Sequence, residues 1–244
     1  MKRIFVLAIL SVLFVETYSQ TSMNYWNNAR YFKITAGTVT PGRDFSDATE
    51  NGLFAKDGYQ IGFDYNYMIA MGFGLGLNLE FDRFHFNKEA FFDLAEPDYM
   101  EVIGGYSSTK FGLNALFNVP LEIQKNVFAI NFYIEGNAGF RGMSIPSINL
   151  EYNEITNNFV EVKYRPRSST MGYLGYSGGL QLLFYNRFGI NVSYNAILQR
   201  RNSIYYSVRK YDTEGELFEE ENYLNNNLDH TGLQFGILFL FGKR

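Results

Sequence analysis

Residues 29–244 fall into eight stretches of about ten residues, in which every second position is apolar or aromatic and those between are Gly, Asn, Gln, Ser or charged. Residues 57–68 show the pattern most clearly: Tyr59, Ile61, Phe63, Tyr65 and Tyr67 alternate with Gly58, Gln60, Gly62, Asp64 and Asn66. Successive side chains of a β-strand point to opposite faces, so this period gives each stretch one apolar face and one polar face. An α-helix, with about 3.6 residues per turn, would mix the two sets.

The first predicted strand, residues 30–40, sends Phe32, Ile34 and Ala36 outward and Lys33, Thr35 and Gly37 inward. Residues 57–68 form the second. A tight connection at 69–72 leads to the third, where Phe73, Leu75, Leu77, Leu79 and Phe81 alternate with Gly74, Gly76, Asn78, Glu80 and Asp82. In the fourth, residues 109–119, Phe111, Leu113, Ala115, Phe117 and Val119 face out, and a turn follows around Gln124, Lys125 and Asn126. The fifth, residues 127–141, turns out Phe128, Ile130, Phe132, Ile134, Ala138 and Phe140. The sixth, residues 171–185, carries Leu174, Tyr176, Leu180, Leu182 and Phe184, and turns at once through Asn186 and Arg187. Phe188, Ile190, Val192, Tyr194, Ala196 and Leu198 line the outer side of the seventh. The eighth, residues 231–241, contributes Leu233, Phe235, Ile237, Phe239 and Phe241.

Alternation alone sets these registers, and charge tests them independently. No outward position named above is charged, whereas the inward ones include Lys33, Asp64, Glu80, Asp82, Lys110, Glu135 and Arg141. A Lys or Arg facing lipid costs about 2–4 kcal/mol at the bilayer midplane, which accounts for that asymmetry. Connection lengths are a second test. Strands two and three, four and five, and six and seven join through a few residues, while the other four connections run near 41–56, 85–108, 142–170 and 200–230. Short periplasmic turns and long extracellular loops belong to outer-membrane barrels, and an even strand number returns both ends to the periplasm. An open sheet would leave unpaired backbone groups in lipid. The predicted fold class is therefore all-β: a closed eight-stranded antiparallel transmembrane up-and-down β-barrel.

Two long loops hold strand-like runs of their own, 148–165 folded about Thr156-Asn157-Asn158 and 204–218 folded about Glu214-Gly215. Charges occupy both faces of each, with Glu151, Glu154, Glu161 and Lys163 in one and Arg209, Lys210, Asp212 and Glu216 in the other. Both read as hairpins above the membrane that extend barrel strands outward.

Composition narrows the class further. The chain holds 19 Tyr, 24 Phe and no Cys, so no disulfide framework supports it. A mean hydropathy of -0.17 excludes a bundle of membrane helices. At the N-terminus, Lys2 and Arg3 precede an apolar run at 4–15 and a polar end, Glu16-Thr17-Tyr18-Ser19-Gln20, which reads as a secretory signal peptide over residues 1–19, cleaved after Ser19. The apolar run is too short to span a bilayer, and no Cys follows to take a lipid anchor. Residues 20–29 then form a short periplasmic segment and 30–244 the barrel. Without the leader the chain is slightly more acidic than its formal charge of -4, which makes nucleic acid an unsuitable partner.

An eight-stranded barrel is just wide enough for side chains to fill, so a general diffusion pore is not expected. Lys33 and Asp64 fall at similar depth near the periplasmic end of adjacent strands, and Asp82 and Lys110 near the extracellular end of another pair. Glu80, Glu135 and Arg141 complete this lumen charge network. Such charges either satisfy one another in a water-poor lumen or form a gated path for protons or small ions. The two histidines, His85 and His230, fall at the extracellular rim without a defined Ser or carboxylate partner, so no enzyme is expected. Nothing resembles a phosphate-binding Gly loop, a metal-spaced Cys or His cluster or a nucleophile elbow, and no cofactor or metal is expected. Tyr59, Tyr67, Phe73, Tyr185, Phe188 and Phe241 lie near strand ends, as interfacial girdles require.

The leader ending Tyr18-Ser19-Gln20, the strand GYQIGFDYNY (58–67), the turn region FNVPLEIQ (117–124) and the closing run TGLQFGILFLF (231–241) together resemble the outer-membrane β-barrel domain family of Gram-negative bacteria, over about residues 30–244. Small OmpA/OmpX-like eight-stranded barrels are nearest in strand count; PorT-like accessories of type IX protein secretion come second. The closing aromatic is similar to the signal read by the barrel-assembly machinery, with the departure that Gly242-Lys243-Arg244 follow Phe241. The resemblance implies a cell outer membrane location, contact with outer-membrane lipid, and the barrel-assembly machinery as a partner during biogenesis; no catalytic residues carry over. A monomer is expected. The expected function is non-enzymatic, acting through the loops in surface contact, adhesion or envelope integrity. Glu89, Asp93, Glu96, Asp98 and Glu101 among Phe91, Phe92 and Tyr99, and Glu219, Glu220 and Glu221 near Tyr205, Tyr206 and Phe218, form acidic aromatic surfaces for a surface or secretion-system partner. The alternatives are a PorT-like secretion accessory or a small-solute or ion porin.

Overall fold

The computed structural model describes Trp26 and residues 28–49, 52–156, 159–199, 202–215 and 217–241. The expected signal peptide with its cleavage site, the turn at 157–158 and the three residues after Phe241 lie outside the described residues. In chain order the elements are β1 (Arg30–Pro41), α1 (Arg43–Ser46), β2 (Ala55–Ala70), β3 (Phe73–Phe86), α2 (Lys88–Ala95), β4 (Tyr99–Ile103) and β5 (Tyr106–Gln124). They continue with β6 (Phe128–Ser144), β7 (Ser147–Thr156), β8 (Phe159–Pro166), β9 (Ser169–Phe184), β10 (Phe188–Leu198), β11 (Asn202–Tyr211), β12 (Leu217–Asn226) and β13 (His230–Phe241).

Strands β1, β2, β3, β5, β6, β9, β10 and β13 close into an eight-stranded antiparallel barrel in that sequential order. The last strand returns to the first over its whole length, from Arg30 opposite Phe241 to Pro41 opposite His230. Every barrel strand thus has a partner on both sides, and no backbone edge is left to the hydrocarbon. The short connections, at Met71-Gly72, 125–127 and 185–187, lie at one end with Arg30 and Phe241, the end assigned to the periplasm.

The expected parity holds along the barrel. Leu113 and Phe140 on the outer face are 66% and 69% exposed, whereas Lys110 and Arg141, on the same strands but of opposite parity, are fully buried. Ala196 alone among the outward positions named above is buried, although Tyr194 and Leu198 beside it are exposed. Charge reaches the outer face only near the ends, as with Arg30, whose guanidinium sits 5.5 Å over the Tyr67 ring at the periplasmic rim.

The long connections differ from their expected form. The hairpins β7–β8 and β11–β12 do exist, but they do not prolong barrel strands. They join β4 in a second, five-stranded sheet ordered β12-β11-β8-β7-β4. At the base of β7, Ile145 and Pro146 interrupt the strand, since proline has no amide to donate to a ladder and fixes its own φ. The second connection, expected to be a loop, contains α2 and β4, and the first holds the single turn α1. Together these segments form a cap over the extracellular mouth.

Candidate functional site: the filled lumen and its cap

Inward positions divide the lumen into three layers. At the periplasmic end Trp26, Tyr31, Met68, Leu116, Leu183 and Leu238 form an apolar plug, each at most 1% exposed. Trp26 precedes β1, and its ring packs 5.7 Å from Tyr31 while its indole N–H donates to Asn131 at 3.2 Å. Sequence alternation could not find this residue, because it lies outside any strand.

Above the plug come amides and charges. Asn131 donates to Asn118 at 2.6 Å and to Gln181 at 2.8 Å, and Gln60 and Asn195 exchange amide hydrogen bonds across the barrel at 3.2 and 3.1 Å. Lys33 lies 2.9 Å from Asp64 on the neighbouring strand and 3.6 Å from Glu135 across the lumen, with the Tyr133 ring 5.2 Å from its ammonium. Nearer the extracellular end, Lys110 bonds Glu80 and lies 3.1 Å from Asp82. Arg141 reaches Asp82 at 3.9 Å, donates to Ser108 at 2.8 Å and to Gln199 at 2.6 Å, and caps the Leu228 carbonyl at 3.0 Å. The seven charged side chains singled out in the sequence therefore fall into two groups, one around each lysine. Antiparallel register explains this, because Lys33 is directly opposite Asp64 and Glu80 directly opposite Lys110.

His230 is a correction. The sequence places it at the rim, yet it is 1% exposed and faces inward as the first residue of β13. Its Nε2 is 3.2 Å from the Lys110 ammonium and its Nδ1 3.3 Å from the Leu228 carbonyl. An ammonium can only donate, so Nε2 accepts and Nδ1 carries the hydrogen given to Leu228. The available signal was parity: His230 is even-numbered, as are the inward Gly232 and Gln234. His85 is exposed, on the outer parity of β3. Ligand atoms of Glu80, Asp82 and His230 lie within 4.8 Å of one another, a grouping that could suit a metal ion. Lys110 makes close contacts with all three, so the ammonium already supplies the positive charge there.

The third layer is aromatic. Phe45 from α1 is buried in the mouth, with its ring 4.8 Å from Phe84 and 5.1 Å from Tyr106, both edge-on. Tyr106 donates its hydroxyl to the Leu53 carbonyl. Backbone bonds tie the cap to the mouth, among them Gly42 N–H to Asp229 at 2.6 Å and Asn87 N–H to Phe54 at 2.7 Å. Above, β4 lies along β7 and Asp98 N–H donates to Glu151 at 3.0 Å. Glu219, Glu220 and Glu221 each meet a cation of the cap, Arg209 at 3.2 Å, Lys210 at 3.4 Å and Arg167 at 2.7 Å. Those carboxylates are thus engaged within the cap itself.

No family model matches the chain, and no curated protein matches it. Solved structures do. Neisserial surface protein A aligns at 10% identity with a TM-score of 0.49, over 88% of this chain and 100% of that one. OprG, an outer membrane protein from Pseudomonas aeruginosa, aligns at 12% and 0.47 over 89% and 97%. Ail, the attachment invasion locus protein of Yersinia pestis, aligns at 12% and 0.42 over 88% and 99%. The chain's own geometry carries the conclusion: a closed antiparallel cylinder of eight strands with an apolar outer face is an outer-membrane β-barrel.

Proposed function

We propose that this protein is a non-enzymatic surface-contact protein, whose barrel serves as anchor and whose cap meets the partner. The observation that supports this most directly is the layered lumen. Its periplasmic end is packed with Trp26, Tyr31 and Met68 and its mouth with Phe45 and Phe84, all fully buried, so the interior serves packing more than passage. The three-loop sheet, in contrast, projects ordered surface away from the membrane, with Tyr205, Leu217, Phe218 and Tyr223 each more than 40% exposed. Exposed aromatics on a rigid support are what protein interfaces use at their centres. The lumen charges are proposed to be structural, each acid held by a cation.

The test is adherence at equal surface density. Cells displaying the intact chain should adhere to other cells several-fold better than cells displaying the same barrel with β7–β8 and β11–β12 replaced by short turns. Equal adherence of the two would overturn the proposal.

A further inference from the structure

Where the cap settles on the barrel mouth it leaves a partly enclosed hollow of about 300 Å³. That is the lower end of the roughly 300–1,000 Å³ typical of small-molecule sites. All four long connections reach it: Phe54 comes from the first, Phe91 and Leu94 from the second, Ile148 and Tyr164 from the third, and Tyr206 from the fourth. Four segments distant in sequence thus converge on one space without filling it.

The lining defines the chemistry of an occupant. Among the described residues no charged side chain lines the hollow, so an ionic ligand would lose its hydration with none of them to pair it. Phe91 meets Phe54 at 5.2 Å, Phe86 at 5.3 Å and Tyr164 at 6.2 Å, each edge to face. Rings arranged in this way accept another ring in the same geometry. Burial pushes the Tyr164 phenol up to about 12, so it remains an uncharged hydrogen-bonding group at the wall. Phe86 and Tyr106 lie on the inward parity of their strands and the remaining lining belongs to the cap, so the hollow does not open on the lipid face.

We infer that this hollow is a binding site for a small uncharged aromatic molecule arriving from outside the cell. The full chain in phosphatidylcholine nanodiscs, titrated with 5-fluoroindole and followed by ¹⁹F NMR, should show saturable binding at one molecule per chain. Ala95→Trp, which fills the hollow from α2, should weaken that binding at least tenfold. Leu94→Lys, at its exposed rim, should weaken it several-fold without disturbing the packed floor; it decides the matter if Ala95→Trp fails to fold. Uptake that follows lipid content as in empty nanodiscs, or saturable binding that neither variant alters, would overturn the inference. Stoichiometric binding of 1-decanol without any of 5-fluoroindole would overturn the assignment to aromatic ligands.

Discussion

Lys110 shows how one side chain can organise the upper lumen. It is fully buried, and its ammonium serves Glu80, Asp82 and His230 together. Removing one member of a buried ionic group is far more costly than never having the group, because the partners remain charged and dry. Lys110→Met should therefore lower the unfolding free energy by about 3–5 kcal/mol, read from urea unfolding in lipid vesicles. Adding Glu80→Gln and Asp82→Asn to that variant should recover most of the loss. If Lys110→Met alone changes nothing, those carboxylates are solvated rather than buried. The positions of these charges were readable from the sequence, since the same parity that sends Phe111 out sends Lys110 in. The participation of His230 had only the thinner signal of its shared parity with Gly232 and Gln234, because a residue at a strand's beginning has neighbours of known period on one side alone.

Among the elements, the barrel strands and the cap followed different rules. A barrel strand separates two unlike media along its whole length, so its alternation survives in the sequence. The strands of the cap do not. In β8 every residue from Phe159 to Arg165 is half-buried, leaving no face to read. Strand β4 has only five residues and acquires its partner from β7, and α2 is two turns long with no fully buried side chain. Locally that helix is marked by the Asn87 side chain, which accepts from Ala90 N–H, and by Glu89 in its first turn. Turns are also decided locally. Gly72 holds φ at +79° in the β2–β3 turn, and a Cβ there would press on the Asn118 carbonyl oxygen. Gly72→Ala should destabilise the protein by more than about 1 kcal/mol, measured as a lower urea midpoint, with the folded spectrum retained.

For the molecule as a whole, the closed lumen predicts electrical silence. Purified protein in planar bilayers should give no steady single-channel conductance, and Trp26→Ala should remain silent because Tyr31, Met68, Leu116 and Leu238 still pack the same layer. Regular open steps from the unaltered chain would show that the packed layers part. Strand number, the order of long and short connections and the outer-membrane setting were all legible in advance, because closure and lipid constrain every barrel residue. The merger of three loops into one sheet was not legible, since that pairing links residues far apart: Tyr99 with Glu151, and Tyr206 with Pro166.

That distance has a consequence for biogenesis. β4 can lie along β7, and β8 along β11, only once the cylinder has brought the bases of the three loops together at one rim. An antibody fragment raised against an epitope shared by β8 and β11 would thus label finished molecules and ignore those still threading into the bilayer, giving a direct stain for completed insertion on living cells.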